Sequence, residues 1–305
     1  MPFLFSQQKQ KTLSIIIISS VTFLGFETLS AILGQTYQLK IFAELSIYLY
    51  FFQIFWLTFI YDLHLKKRDI LRELRQHHSG WSLFVRAFKE RLHHIHRWQF
   101  FRHYLNFLIL PGVIYWSAII LLSLNPFHTE LKQVVIILAT LSLSVAYWHL
   151  KEVFSKNFEM HHFGIKILAL VKILAVYLFY CAIVGYTFYF GHGPVFLSFF
   201  VFAVTSILLY QALFQHKLLN LRLMLIAMVI ALVTTGIAFW IYQVWNHNYF
   251  TGALIILAVY NAGWGILHHY LDNNLTKKLA IEYLFMMFLV VSILLASHDF
   301  TPRIQ

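Results

Sequence analysis

The sequence predicts an all-α fold: a polytopic integral membrane helical bundle of about nine transmembrane helices, with an amphipathic segment at the cytoplasmic interface. Two observations carry that expectation. Hydrophobic residues make up 60% of the chain and charged residues only 11%, a balance that suits lipid better than water. Apolar stretches close to twenty residues recur from end to end and lack the polar alternation of barrel strands. Hydrocarbon offers backbone groups no water, so continuous apolar runs of that length must be helical. The chain reads as a single transmembrane domain, 1–305, in which 62–103 is a basic, histidine-rich segment between the second and third spans.

The first span, 12–34, follows Lys9 and Lys11 as a signal peptide would, but its apolar run is long and carries Glu27; it is read as retained. The second, 39–61, carries Glu44. Ionisable groups at such depth are costly and are usually paired, protonated or functional. In the segment that follows, Trp81, Phe84, Val85, Phe88, Leu92 and Ile95 recur at helical spacing, which predicts an interfacial helix with its arginines and lysines outward. Spans at 104–124 and 131–149 come next, with Pro111-Gly112 a candidate kink in the former. The fifth span, 163–190, contains Lys166 and Lys172, and Gly191-His192-Gly193-Pro194 predicts a tight turn into 194–214. Spans at 219–245, 248–270 and 279–297 complete the set.

Lysine and arginine orient these spans, because positively charged short loops stay cytoplasmic. The segment 62–103 holds ten Lys and Arg, and Lys151, Lys156, Lys217, Arg222, Lys277 and Lys278 fall in loops on that same side. The N-terminus is therefore expected in the cytoplasm and the C-terminus outside, with a bacterial inner membrane as the expected location. Basic loops on anionic lipid account for the net charge of +11 without nucleic acid. The single cysteine, Cys181, excludes a disulfide framework, a cysteine zinc site and dithiol chemistry.

With this topology thirteen of the seventeen histidines are cytoplasmic. Several fall where a helix leaves the bilayer. His149 and Glu152 close the fourth span three residues apart, His161 and His162 open the fifth, and His216 closes the sixth. In the eighth, Asn261, Gly265, His268 and Asp272 recur along one helical stripe, next to His269. Any one interfacial histidine is more often an anchor than a ligand. Their joint placement at four helix ends is what points to a metal held by nitrogen and oxygen, with Glu152 and Asp272 as ligands or as groups orienting a ligand. Imidazole suits zinc, copper, iron and nickel alike. Mixed histidine and carboxylate donors facing lipid favour iron, one or two ions, and zinc hydrolysis is the rival. His93, His96 and His103 flank the interfacial stripe, where they either cap a pocket beneath the spans or, as is favoured, reach lipid phosphates.

His162-Phe163-Gly164, followed by His268-His269-Tyr270-Leu271-Asp272, resembles elements of the Brp/Blh family of membrane carotenoid dioxygenases. The resemblance implies a helical bundle whose histidines hold iron, with His162 and with His268 and Asp272 at matching positions, and oxygen-dependent cleavage of a carotenoid. His149 and His216 fit by order along the chain. The pairs His161-His162 and His268-His269 are also similar in style to the histidine boxes of membrane fatty-acid desaturases and hydroxylases, although Asn157, Phe158, Trp264 and Gly265 stand where an earlier box histidine is expected. The resulting expectation is an iron-dependent membrane oxygenase or desaturase acting on a lipid or isoprenoid, with molecular oxygen and an electron donor as partners. The competing class is a transporter or a proton or metal carrier, in which Glu27, Glu44, Lys172 and His268 matter more than a fixed metal.

Overall fold

The computed structural model describes residues 2–35, 39–55, 98–125, 128–153, 162–215, 220–245 and 248–297, with side chains described for most of each stretch. Among the described residues the chain is helical, in nine helices: α1 (Pro2–Gln35), α2 (Leu39–Phe55), α3 (Trp98–Leu124), α4 (Thr129–Val153), α5 (His162–Tyr189), α6 (Pro194–Gln215), α7 (Leu221–Val244), α8 (Tyr249–Leu271) and α9 (Lys277–Ala296). Seven of them contain a run long and apolar enough to cross a membrane, in α1 and in α4 to α9. A shorter apolar run, Leu108–Leu124, lies in α3, and α2 spans 17 residues. This is a helical bundle of an integral membrane protein, as the hydropathy pattern predicts. The interfacial segment expected between the second and third spans lies outside the described residues up to residue 97.

The chain divides into two compact units, Met1–Leu108 and Ile109–Gln305. In the first, α1 and α2 form a hairpin about a three-residue connection. Ile18, Phe26, Leu29 and Leu33 are buried along one stripe of α1, and Phe42, Ser46 and Gln53 along one stripe of α2. Gly25 faces Leu49, and a Cβ there would lie 3.5 Å from its Cδ1. Glu27 is half-buried and Glu44 exposed.

In the second unit α5 is the most enclosed span and touches α4, α6 and α8. The registers of the packed helices follow from small residues. Gly252 lies against Trp245 and Ile241, and Gly263 against Ile230, so α7 and α8 run antiparallel in one constant register. Gly185 of α5 meets Leu124 and Tyr249, which joins the end of α3, the end of α5 and the start of α8. Tyr180 shares a hydrogen bond of 2.8 Å with Thr205 of α6 and lies edge-on to Tyr260 of α8. Polar side chains inside the spans bond back one turn: Ser117, Ser142, Thr187 and Thr234 each donate to the carbonyl four residues before them. That local bond keeps a hydroxyl satisfied where no water is at hand.

The tight turn expected at 191–194 is present, with Gly191 at φ 66° and the chain re-entering helix at Pro194. α3 runs through Pro111 as one element. α9 buries none of its residues and packs on α8, turning Ile281, Phe285 and Phe288 outward as an apolar face suited to lipid.

Candidate functional site

The last turn of α8 and the first turns of α9 carry the described part of the histidine cluster. Because α8 stays helical to Leu271 with Asp272 as its cap, residues 268 and 272 share a face, and His268 Nδ1 lies 3.1 Å from Asp272 Oδ2. That spacing of four residues sets the two side chains one turn apart. Trp264 lies beside His268, with ring centroids 5.5 Å apart. One position on, His269 turns toward α9, where its Nε2 lies 3.3 Å from the hydroxyl of Tyr283. Gly265 makes room for that tyrosine: a methyl group there would fall 2.6 Å from Tyr283 Cζ. Asn261 is half-buried further back on the same stripe.

The depths of the remaining candidates follow from the opposite end of the unit, where Thr129, Asn248 and Tyr249 line one crevice and Gly185 packs on Tyr249. From that common level, at about 1.5 Å per residue, His149 of α4 lies about 30 Å along its helix and His268 of α8 about 28 Å along its own. Glu152, His162 and Asp272 are each twenty-three residues from Thr129, Gly185 and Tyr249 respectively, or about 34 Å. The contacts of α5 with α4 and α8 bring those three helices side by side. The side chains of His149, Glu152 and His162 lie outside the described residues, as does that of His103 in α3. His93, His96, His161 and His216 lie outside them altogether. Among the described residues no three His, Cys, Asp or Glu side chains come together to hold a metal ion, and His268, His269 and Asp272 do not make such a group.

Sequence reasoning missed Tyr283. Its signal was the short connection between the last two spans, which folds α9 back so that Tyr283 falls opposite Gly265 and His269. It also missed the crevice at the far end, a volume of about 700 Å³ lined by Asn125, His128, Glu130, Asn248 and Tyr249 among others. There the Asn125 amide nitrogen donates to the Tyr249 hydroxyl at 2.8 Å, and that hydroxyl donates to the amide oxygen at 3.0 Å.

Residues 79–297 match the family described as Protein of unknown function (DUF5656). The chain belongs to this DUF5656 family. The match takes in the whole apolar part of α3 and all of α4 to α9, and therefore the histidine-bearing helix ends; α1 and α2 fall outside it. No curated protein and no solved structure matches the chain. The resemblance to the Brp/Blh carotenoid dioxygenases, and that to the membrane desaturases and hydroxylases, is thereby corrected: the family match is to DUF5656 and to neither of them. The reason lies in the length of the elements compared. His-Phe-Gly is three residues at a helix start, and histidine followed four residues later by aspartate is a two-residue pattern, both short enough to recur by chance in a chain with seventeen histidines. Elements this short do not define a family.

Proposed function

We propose that the DUF5656 unit of this protein is a membrane-embedded, metal-dependent oxidoreductase acting on a lipid or isoprenoid chain, with its metal held at the end of the bundle where α4 and α8 finish and α5 begins. The observation that carries the reading is the pairing of His268 with Asp272 at the depth reached by His149. A carboxylate on one ring nitrogen fixes the tautomer and orientation of an imidazole and leaves the other nitrogen for a ligand, the arrangement usual around metal-bound histidine. His149, His162 and His268 would be ligands together with His161, His216 and His269, while Asp272 and Glu152 would orient them or join them. Iron, the metal favoured for this donor set, would supply the activation of oxygen. The helices themselves would exclude water and align an apolar chain beside the ligands. With the N-terminus in the cytoplasm and the C-terminus outside, this end faces the cytoplasm, where a soluble electron donor can reach it.

The reading is tested by elemental mass spectrometry on protein purified without a histidine tag or chelator, comparing wild type with a His149→Ala/His268→Ala double variant. Near-stoichiometric iron lost in the double variant supports it. Folded, iron-supplemented wild type without metal refutes it and favours transport. The orientation is tested in a Cys181→Ala background. Cysteine at position 79 should label only from the cytoplasmic face and cysteine at position 303 only from outside; any other pattern refutes it.

A further inference from the structure

The hairpin of α1 and α2 buries one stripe of each helix and leaves the opposite face of α2 open. Lys40, Glu44, Ile47 and Phe51 recur along that face, and all four are exposed. The buried residues Phe42, Ser46 and Gln53 each follow one of these positions or its repeat by two residues, which puts them on the other side of the helix. Alternating steps of four and three residues, as from 40 to 44, 47 and 51, form the stripe along which a second helix packs at a shallow angle. α2 belongs to the span expected at 39–61, where a carboxylate turned to hydrocarbon is costly and calls for a partner. α1 and α2 fall outside the family match, 79–297, so this face is separate from the histidine-bearing end.

Neither Lys40 nor Glu44 makes an ion pair or a side-chain hydrogen bond among the described residues. They stand one turn apart, about 6 Å along the helix, with lysine before glutamate, the weaker order for a pair within one helix. Across a two-fold axis the same two residues complement each other. Two copies of a membrane chain share one orientation, so the axis that relates them runs along the membrane normal and their α2 helices meet in parallel. Each Lys40 can then reach along the seam to Glu44 of the other copy, which gives two ion pairs of alternating sign about the axis, with Ile47 and Phe51 packed beyond them. A protein of another sequence would have to supply both opposite charges at matching depths; a second copy carries them already. We propose that this face of α2 is a dimerisation surface whose partner is the same face of a second copy of the chain, held by reciprocal pairing of Lys40 with Glu44.

The test uses the full chain with Cys181→Ala, in vesicles of phosphatidylethanolamine and phosphatidylglycerol. Oxidation with copper phenanthroline should link two copies through Ile47→Cys on the open stripe and not through Phe42→Cys on the buried one. These two results need no charge variant to fold. Lys40→Glu and Glu44→Lys, each added to the Ile47→Cys chain, should each weaken association by about five- to thirtyfold, read from the protein-to-lipid ratio at which half of the chains are linked. Combining the two exchanges the charges and should restore the linking of the parent chain. An Ile47→Cys chain that stays unlinked at every protein-to-lipid ratio overturns the proposal, and so does equal linking through Phe42→Cys. Single charge variants that match the parent within about twofold overturn the pairing of Lys40 with Glu44 and the proposal with it.

Discussion

Gly185 and Gly236 both lie within helices, and alanine at the two should act differently. At Gly236 of α7 a Cβ would meet nothing within 4 Å, so the substitution brings only the gain in helix propensity, about 1 kcal/mol. At Gly185 the same gain is opposed by crowding, because a Cβ would lie 2.8 Å from Leu124 Cδ1 and 3.1 Å from Cγ and Cδ2 of the Tyr249 ring. Leu124 Cδ1 is the tip of a side chain and can rotate away. The Tyr249 ring cannot follow easily, since its hydroxyl is tied to Asn125 by bonds of 2.8 and 3.0 Å. Overpacking of this kind costs about 1–3 kcal/mol, which cancels or exceeds the propensity gain. Gly236→Ala should therefore raise stability by about 1 kcal/mol, and Gly185→Ala should leave it level or lower it by up to about 2 kcal/mol. Reversible unfolding in mixed detergent micelles measures both. Equal shifts at the two sites would refute the claim that α3, α5 and α8 meet at Gly185.

Other outcomes follow from the same contacts. Asn125→Ala removes the partner of the Tyr249 hydroxyl and the amide that caps the Leu121 carbonyl at 2.9 Å, and should lower stability by about 1–3 kcal/mol in the same assay. Gly191→Ala should cost about 1 kcal/mol, arising from its φ of 66° and not from contacts; a loss well above that would show that the turn packs on something else. Cys181 is buried and should resist a membrane-permeant maleimide until the protein is unfolded, as judged by mass. Labelling of the native protein would place the thiol on an accessible surface.

The hydropathy pattern made the helices legible because a membrane forces the sequence to state them. Every span needs some twenty apolar residues, and a basic connection marks one face. The turn at Gly191 was legible for a related reason, since two glycines and a proline around His192 leave few other conformations. The helix partners were not. Which helices touch is decided where a side chain is missing, as at Gly185, Gly252 and Gly263, and a glycine in a sequence does not say which neighbour fills its space. The candidate residues divide in the same way. His268 and Asp272 are one turn apart in sequence and in space, so their pairing followed from spacing. Tyr283 was invisible until α9 had folded back on α8. The short histidine elements misled for the converse reason: three to five residues are too few to tell ancestry from chance.

The two ends of α8 differ in how they treat polar groups. At the start of the helix the groups answer one another. Trp245 Nε1 lies 3.1 Å from the Asn248 carbonyl and 3.1 Å from Thr251 Oγ1. The Asn248 side chain accepts from the Thr251 N–H, and Asn125 and Tyr249 bond each other. Substances binding in the crevice there would have to displace bonds already made. At the far end the polar contacts are looser: His268 Nδ1 lies 3.1 Å from Asp272 Oδ2 and His269 Nε2 lies 3.3 Å from the Tyr283 hydroxyl. The bonds of Asn125, Tyr249 and Trp245 tie the ends of α3 and α7 to the start of α8.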